Sequence, residues 1–228
     1  MKKQLIQAVF AVIAYCGISL SAYAAPIDGT SSCVFQNAQG PTTMVNSGVG
    51  SDTFTWGTGG NGTEPSSLVC EGQSIAGTIG SFFDIGEITY FNGTIVSGTG
   101  ADSVDLSITI DFTNPFGANE MFTYLLSLIN TPNTGSAQAQ ADIVQFPIVL
   151  PTETFNIAGI LYTLALEVGN VTTGGFSTQN TFSVLEGQSA TANLRGKITI
   201  ADVPAPGTLA LLGLSLAGLS LARRSTKK

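Results

Sequence analysis

The chain contains no histidine. That absence removes Ser-His-Asp triads, Cys-His dyads and His-ligated metals from the chemistry open to it. Of its three cysteines, only Cys33 and Cys70 lie beyond the first 24 residues. Neither has an imidazole base to make it a nucleophile. In an exported chain the two predict one disulfide, worth about 3–4 kcal/mol through the loop it closes, with a pair of free thiols as the alternative. Asp102, Asp105 and Asp111 are the cluster that suggests Ca²⁺, a hard cation that wants several oxygens together. Asp105 and Asp111 share a strand face but stand about 20 Å apart along an extended strand, so they cannot share one ion. They read as a solvated acidic face, and no metal site is assigned. Paired carboxylates can hydrolyse a glycosidic bond, but fifteen acids single out no pair, and no catalytic residue is assigned. Trp56, Tyr90, Tyr124 and Tyr162 are the aromatics able to stack on a sugar. Tyr124 and Tyr162 keep phase with apolar neighbours and read as core, whereas Trp56, beside a Gly-rich loop, is the candidate glycan contact.

The charge is unevenly placed. Eight Lys+Arg and fifteen Asp+Glu give a net charge of −7, yet Arg195 and Lys197 are the only basic residues between Lys3 and Arg223. Such a body has no basic patch for nucleic acid. Charged residues make up 10% of the chain, against roughly 25% in an ordinary soluble domain. Twenty-seven glycines, with abundant Thr, Ser and Asn, favour short strands and turns over helices. The apolar fraction of 43% is enough for a sizeable core.

The two ends look like addresses. Lys2 and Lys3 form a positive start, Leu5 to Leu20 a mostly apolar stretch, and Ala22-Tyr23-Ala24 a small-residue pattern before Ala25. Residues 1–24 therefore read as a secretory signal helix, cut by signal peptidase between Ala24 and Ala25. At the other end stand Val203-Pro204-Ala205-Pro206, an uncharged run from Thr208 to Ala222, and Arg223-Arg224. Fifteen residues make roughly 22 Å of helix, short of a ~30 Å hydrocarbon core. The segment reads as a marginal membrane-spanning helix whose basic end stays in the cytoplasm.

That layout resembles the PEP-CTERM sorting signal: a Pro-x-Pro turn, a short Leu/Gly/Ala helix and an Arg cluster at residues 203–224. The family's usual middle residue is Glu where this chain has Ala205. The resemblance implies a Gram-negative bacterium that makes exopolysaccharide. It also implies a membrane-embedded cysteine transpeptidase, the exosortase, that cuts near the Pro-x-Pro motif. The sorting residues it assigns are Val203, Pro204, Ala205, Pro206, Arg223 and Arg224.

Between these ends lies a strand-rich body. Val104, Leu106, Ile108, Ile110 and Phe112 alternate with polar residues, giving a strand with one dry face and one wet face. Phe122 to Leu128, Ile160 to Val168 and Ala192 to Ile200 repeat the pattern, the last with Leu194, Ile198 and Ile200 inward. Thr53–Trp56, Phe82–Phe91, Ile143–Val149 and Thr181–Leu185 are further strands, and Asn92-Gly93 reads as a hairpin turn leading into Thr94-Ile95-Val96. Residues 25–80 otherwise read as turn-rich with short apolar patches. Around nine to eleven strands without an amphipathic helix predict an all-β fold, a single β-sandwich of jelly-roll type over residues 25–200. It would be flanked by the signal helix and, after a Pro-containing stalk at 201–207, by the hydrophobic helix and basic tail at 208–228. Trp56-Gly57, the run Phe83 to Asn92 and the run Leu128 to Thr134 also resemble "choice-of-anchor" surface domains.

The expectation is an exported, non-enzymatic cell-surface or extracellular-matrix protein, without a cofactor, that passes through an inner-membrane intermediate. Its partners would be signal peptidase, an exosortase-like transpeptidase and exopolysaccharide. The alternatives are a carbohydrate-binding module for exopolysaccharide and a secreted glycoside hydrolase.

Overall fold

The computed structural model describes residues 25–114, 117–147, 153–157, 159–178 and 180–200. They form strands and turns, with two short 3₁₀ turns at Gly60–Gly62 and Ala137–Gln140. The strands of the first half are β1 (Pro26–Gln39), β2 (Asn46–Ser47), β3 (Thr53–Trp56), β4 (Ser66–Gly72), β5 (Ser74–Thr78), β6 (Phe82–Phe91) and β7 (Ser103–Asn114). Those of the second half are β8 (Ala118–Ile129), β9 (Asp142–Gln145), β10 (Glu153–Ile157), β11 (Ile160–Val171), β12 (Gly175–Thr178), β13 (Thr181–Val184) and β14 (Ser189–Ile200). They build two seven-stranded sheets, ordered β12-β13-β9-β8-β7-β1-β5 and β10-β11-β14-β6-β4-β3-β2. The pairings in both sheets are antiparallel, as β7 against β8 and β11 against β14 illustrate.

The all-β expectation holds, and alternation is the reason. On β7 the side chains of Val104, Leu106, Ile108, Ile110 and Phe112 are buried, while Asp105, Thr109 and Asp111 turn away from the core. One apolar cluster draws on both sheets. Aromatic pairs cross between them: Phe112 stacks on Phe155 at 6.0 Å, and Phe122 meets the same ring edge-on at 5.8 Å. Phe35 meets Phe54 at 6.1 Å, and Tyr90 meets Phe182 at 6.2 Å. Each such pair contributes about 0.5–1.5 kcal/mol beyond its area.

Several expectations need correction. β1, β4 and β5 all fall in the stretch read as turn-rich, and β1 is the longest strand described. It bends where its register against β7 shifts between Gln36 and Gln39. There Asn37 sits at φ 50°, a left-handed conformation that asparagine tolerates. Asn92-Gly93 forms no hairpin. Neither residue has the positive φ that a tight hairpin turn needs. β6, which ends just before them, is already paired with β4 on one side and β14 on the other. Residues 94–96 keep only an isolated bridge between Ile95 and Gly59. Ile160 and Ile200, expected to face inward, are 45% and 54% exposed because they lie at one open end of the fold. The expected helices at 1–24 and 208–228 and the stalk at 201–207 lie outside the described residues. Among the described residues no helix is long and apolar enough to cross a membrane.

Candidate functional site

β14 is a central strand, hydrogen-bonded on one flank to β11 and on the other to β6. Its end is fastened again by the turn that joins β5 to β6. Gly80 N–H donates to the Ile198 carbonyl at 2.8 Å. The neighbouring Ile79 N–H donates to the carbonyl of Ala25 at 3.0 Å. Residues 79–80 thus hold both the first described residue and the last described strand. The two ends of the body leave it at the same pole, beside the exposed side chains of Ile160 and Ile200. The chain that follows β14 carries the decisive segment. Residues 202–224 match the PEP-CTERM protein-sorting motif. The PEP-CTERM motif marks an exported protein that is processed by exosortase, a membrane enzyme. Val203, Pro204, Ala205, Pro206, Arg223 and Arg224 all fall inside the match and outside the described residues, as do Ala22 and Ala24 of the expected signal cleavage site. Among curated proteins, none matches the chain.

Cys33 and Cys70 form the expected disulfide, with Cα atoms 6.1 Å apart. It ties β1 of the first sheet to β4 of the second. The bond lies under an open cleft of about 420 Å³ lined by Ser31, Ser32, Asp52, Glu71 and Gly72 as well as the two half-cystines. Ser31 Oγ donates to the Ile85 carbonyl and accepts from Gln73 N–H at 2.9 Å. Backbone packing here is so close that a Cβ on Gly72 would stand 2.1 Å from the Ser31 carbonyl oxygen. The cleft offers no thiol, and the chain no imidazole.

The aromatic platform is not there. Trp56, the candidate glycan contact, is only 4% exposed. It is stacked between Phe54 at 5.5 Å and Tyr90 at 5.7 Å. The alternation of β3 turns Phe54 and Trp56 inward together, and the adjacent Gly-rich loop does not lift the ring out. Tyr124 and Tyr162 are buried, in keeping with their phase, and Tyr90 joins them. Asp105 accepts from Asn37 Nδ2 at 2.9 Å on the outer face. Among the described residues no group of three or more acidic or cysteine side chains is placed to hold a metal.

A polar cluster that sequence reasoning missed lies at the end of β6. Asp142, at the start of β9, is 3% exposed. Its Oδ1 accepts from Thr131 N–H at 2.7 Å and from Thr131 Oγ1 at 3.1 Å. Its carboxyl is pushed up to about 6: burial raises it most, the two Thr131 bonds pull it down in part, and the charge of Glu186 adds to the rise. Glu186 Oε1 accepts from Thr94 Oγ1 and, at 3.1 Å, from Asn133 Nδ2. Burial also holds the Tyr90 hydroxyl well above its ordinary range, with Asp142 and Glu186 adding to the effect. Asn92 is fully buried in the same place. Its Nδ2 donates to the Val184 carbonyl at 2.9 Å, while its Oδ1 has no partner among the described residues. These groups come from four separated segments, at 90–94, 131–133, 142 and 184–186. No local pattern announces them. The one signal in the sequence, Asn92, reads more naturally as a turn residue.

Proposed function

We propose that the chain is a non-enzymatic component of the cell surface or extracellular matrix of a Gram-negative bacterium, delivered by a cleavable C-terminal sorting signal. The match of residues 202–224 to the PEP-CTERM motif carries this reading. In it, residues 25–200 are the delivered cargo, a β-sandwich of jelly-roll type, and residues 208–222 hold the chain in the inner membrane until exosortase acts. Arg223 and Arg224 keep the basic end on the cytoplasmic side. The uncharged run is about 22 Å as helix, shorter than a permanent anchor needs, and so suits a transient one. The acidic body favours solubility beyond the cell and gives phosphate polymers no purchase. A carbohydrate-binding role is the second reading, and with Trp56 in the core it has lost the contact that suggested it.

Mass spectrometry of the mature C-terminus, in cells with and without exosortase, tests the proposal. The expected species ends near Pro204–Pro206 only when the enzyme is present. Pro204→Ala combined with Pro206→Ala is expected to leave the apolar run intact and to accumulate full-length chain in the membrane. Intact Lys228 on surface-exposed wild-type protein, with no shorter species, would refute the sorting reading.

A further inference from the structure

The buried cluster at the end of β6 has an unbalanced charge. Asp142 and Glu186 bring two carboxylates, and neither described cation is near to offset them. Arg195 is engaged with Glu167 at 2.9 Å and Asp84 at 3.6 Å on the outer face of the second sheet, and Lys197 stands over the Phe82 ring. The oxygens are used asymmetrically. The donors from Thr131 reach one oxygen of Asp142, and those from Thr94 and Asn133 reach one oxygen of Glu186. Among the described residues no donor reaches Asp142 Oδ2 or Glu186 Oε2.

Asn92 supplies the independent observation. Its side chain is fully buried, and its Oδ1 is an orphaned acceptor. Leaving a buried acceptor unpaired forfeits its hydration with nothing in return, so it demands a partner. Three bonds hold the residue, two on its backbone and one on its side chain. Asn92 N–H donates to the Gln188 carbonyl, its carbonyl accepts from Gly187 N–H, and its Nδ2 donates to the Val184 carbonyl. The amide is therefore wrapped by the Val184–Gln188 loop, which carries Glu186. Val184 is also the register partner of Asp142. The Asn92 amide thus lies where the loop carrying Glu186 meets the strand partner of Asp142, and the charge of both carboxylates reaches the Tyr90 hydroxyl two residues earlier, which places the three groups around one partly enclosed corner of the fold.

We infer that this enclosure is a Ca²⁺ site, with Asn92 Oδ1, Asp142 Oδ2 and Glu186 Oε2 as its protein ligands. Three oxygens from two carboxylates and an amide carbonyl are the donor set of a hard cation. The set lacks sulfur and imidazole, which excludes the softer metals. Water completes the shell on the side of Asn133, which is exposed. The donors already fixed on Asp142 Oδ1 and Glu186 Oε1 hold each carboxylate so that its other oxygen faces the ion. Two carboxylates and one amide suit the weak, roughly 10⁻⁴–10⁻³ M affinity of extracellular calcium modules. The ion would clamp the end of β6, the β13–β14 loop and the start of β9, joining the two sheets at a point the disulfide does not reach.

The test is calorimetric titration of CaCl₂ into exported protein stripped with EDTA, paired with thermal melts in calcium and in chelator. One calcium per chain is expected, with a higher melting midpoint in calcium than in chelator and a smaller response to Mg²⁺. Glu186→Gln, which keeps a side-chain oxygen for Thr94 and Asn133, is expected to weaken calcium binding about tenfold or more. Asp142→Asn should abolish it, and the partly exposed Glu186 position keeps the test decisive if that variant fails to fold. No heat and no midpoint shift at roughly 10 mM CaCl₂, well above the weak-site range, would overturn the inference. So would unchanged affinity in Glu186→Gln, or a Mg²⁺ response equal to that of calcium.

Discussion

Removing the Cys33–Cys70 bridge is expected to cost the body about 4 kcal/mol. The two residues are 37 apart in sequence. In the loop-entropy model a closed loop of that size removes about 13 cal/mol/K from the unfolded chain, or about 4 kcal/mol at 25 °C. The geometry gives little reason for strain to cancel this, because β1 and β4 approach each other anyway. Ser31 N–H reaches the Gln73 carbonyl at 2.9 Å, and Gln73 N–H reaches Ser31 Oγ. Cys33→Ala combined with Cys70→Ala removes the bond without burying new hydroxyls. Urea unfolding followed by Trp56 fluorescence is the assay, with wild type and double variant measured side by side. With a slope of about 2 kcal/mol per M, the midpoint should fall by about 2 M. Reduced wild type should behave like the double variant. A loss below about 1 kcal/mol in both, with an unchanged slope, would refute the chain-entropy reasoning. It would mean that the unfolded chain keeps Cys33 and Cys70 close even without the bond.

Three further outcomes are expected. Phe155→Ala should cost about 3–5 kcal/mol by urea titration, because that ring packs on Phe112, Phe122 and Tyr162. Trp56 emission should be blue-shifted and poorly quenched by acrylamide, and fragments of exopolysaccharide should leave it unchanged; a binding-dependent shift would put Trp56 back on the surface. Tyr90 favours its neutral form in the folded protein, so its contribution is intact below the ordinary tyrosine range near 10 and is lost as pH rises beyond it. Alkaline melts should therefore fall more steeply for wild type than for Tyr90→Phe.

Strands whose inward positions are large and apolar were legible from period-2 alternation, as β7, β8, β11 and β14 show, and β3 and β6 were read as strands without it. β1 and β4 were not, because Ser31 and Ser66 occupy inward positions that alternation reserves for apolar side chains. Ser66 Oγ is fully buried and exchanges hydrogen bonds with the backbone of Gly93. Such a serine is apolar in effect only because a segment 27 residues away satisfies it, and a local reading cannot see that partner. Trp56 failed for the opposite reason. The Gly-rich loop after it argued for exposure, yet the alternation of its own four-residue strand decided the matter. The sorting tail was legible because it is contiguous, with every determinant inside 23 residues. The Asn92–Asp142–Glu186 cluster was not, since its members are spread across almost half the chain and meet only after both sheets have formed.

The shared exit pole bears on the order of events at the membrane. A body whose ends diverged would be stretched between its two attachment points for as long as both remained uncut. Here the turn at Ile79 and Gly80 holds Ala25 and Ile198 together. Were both flanking segments held in a membrane, as the proposed scheme has it, the body could close into its final shape as a loop slung from two adjacent points, with neither end pulled through the other strands. In the proposed sorting scheme, a cut before Ala25 and a cut after β14 would then be independent events that leave the shape of the body untouched, whichever comes first.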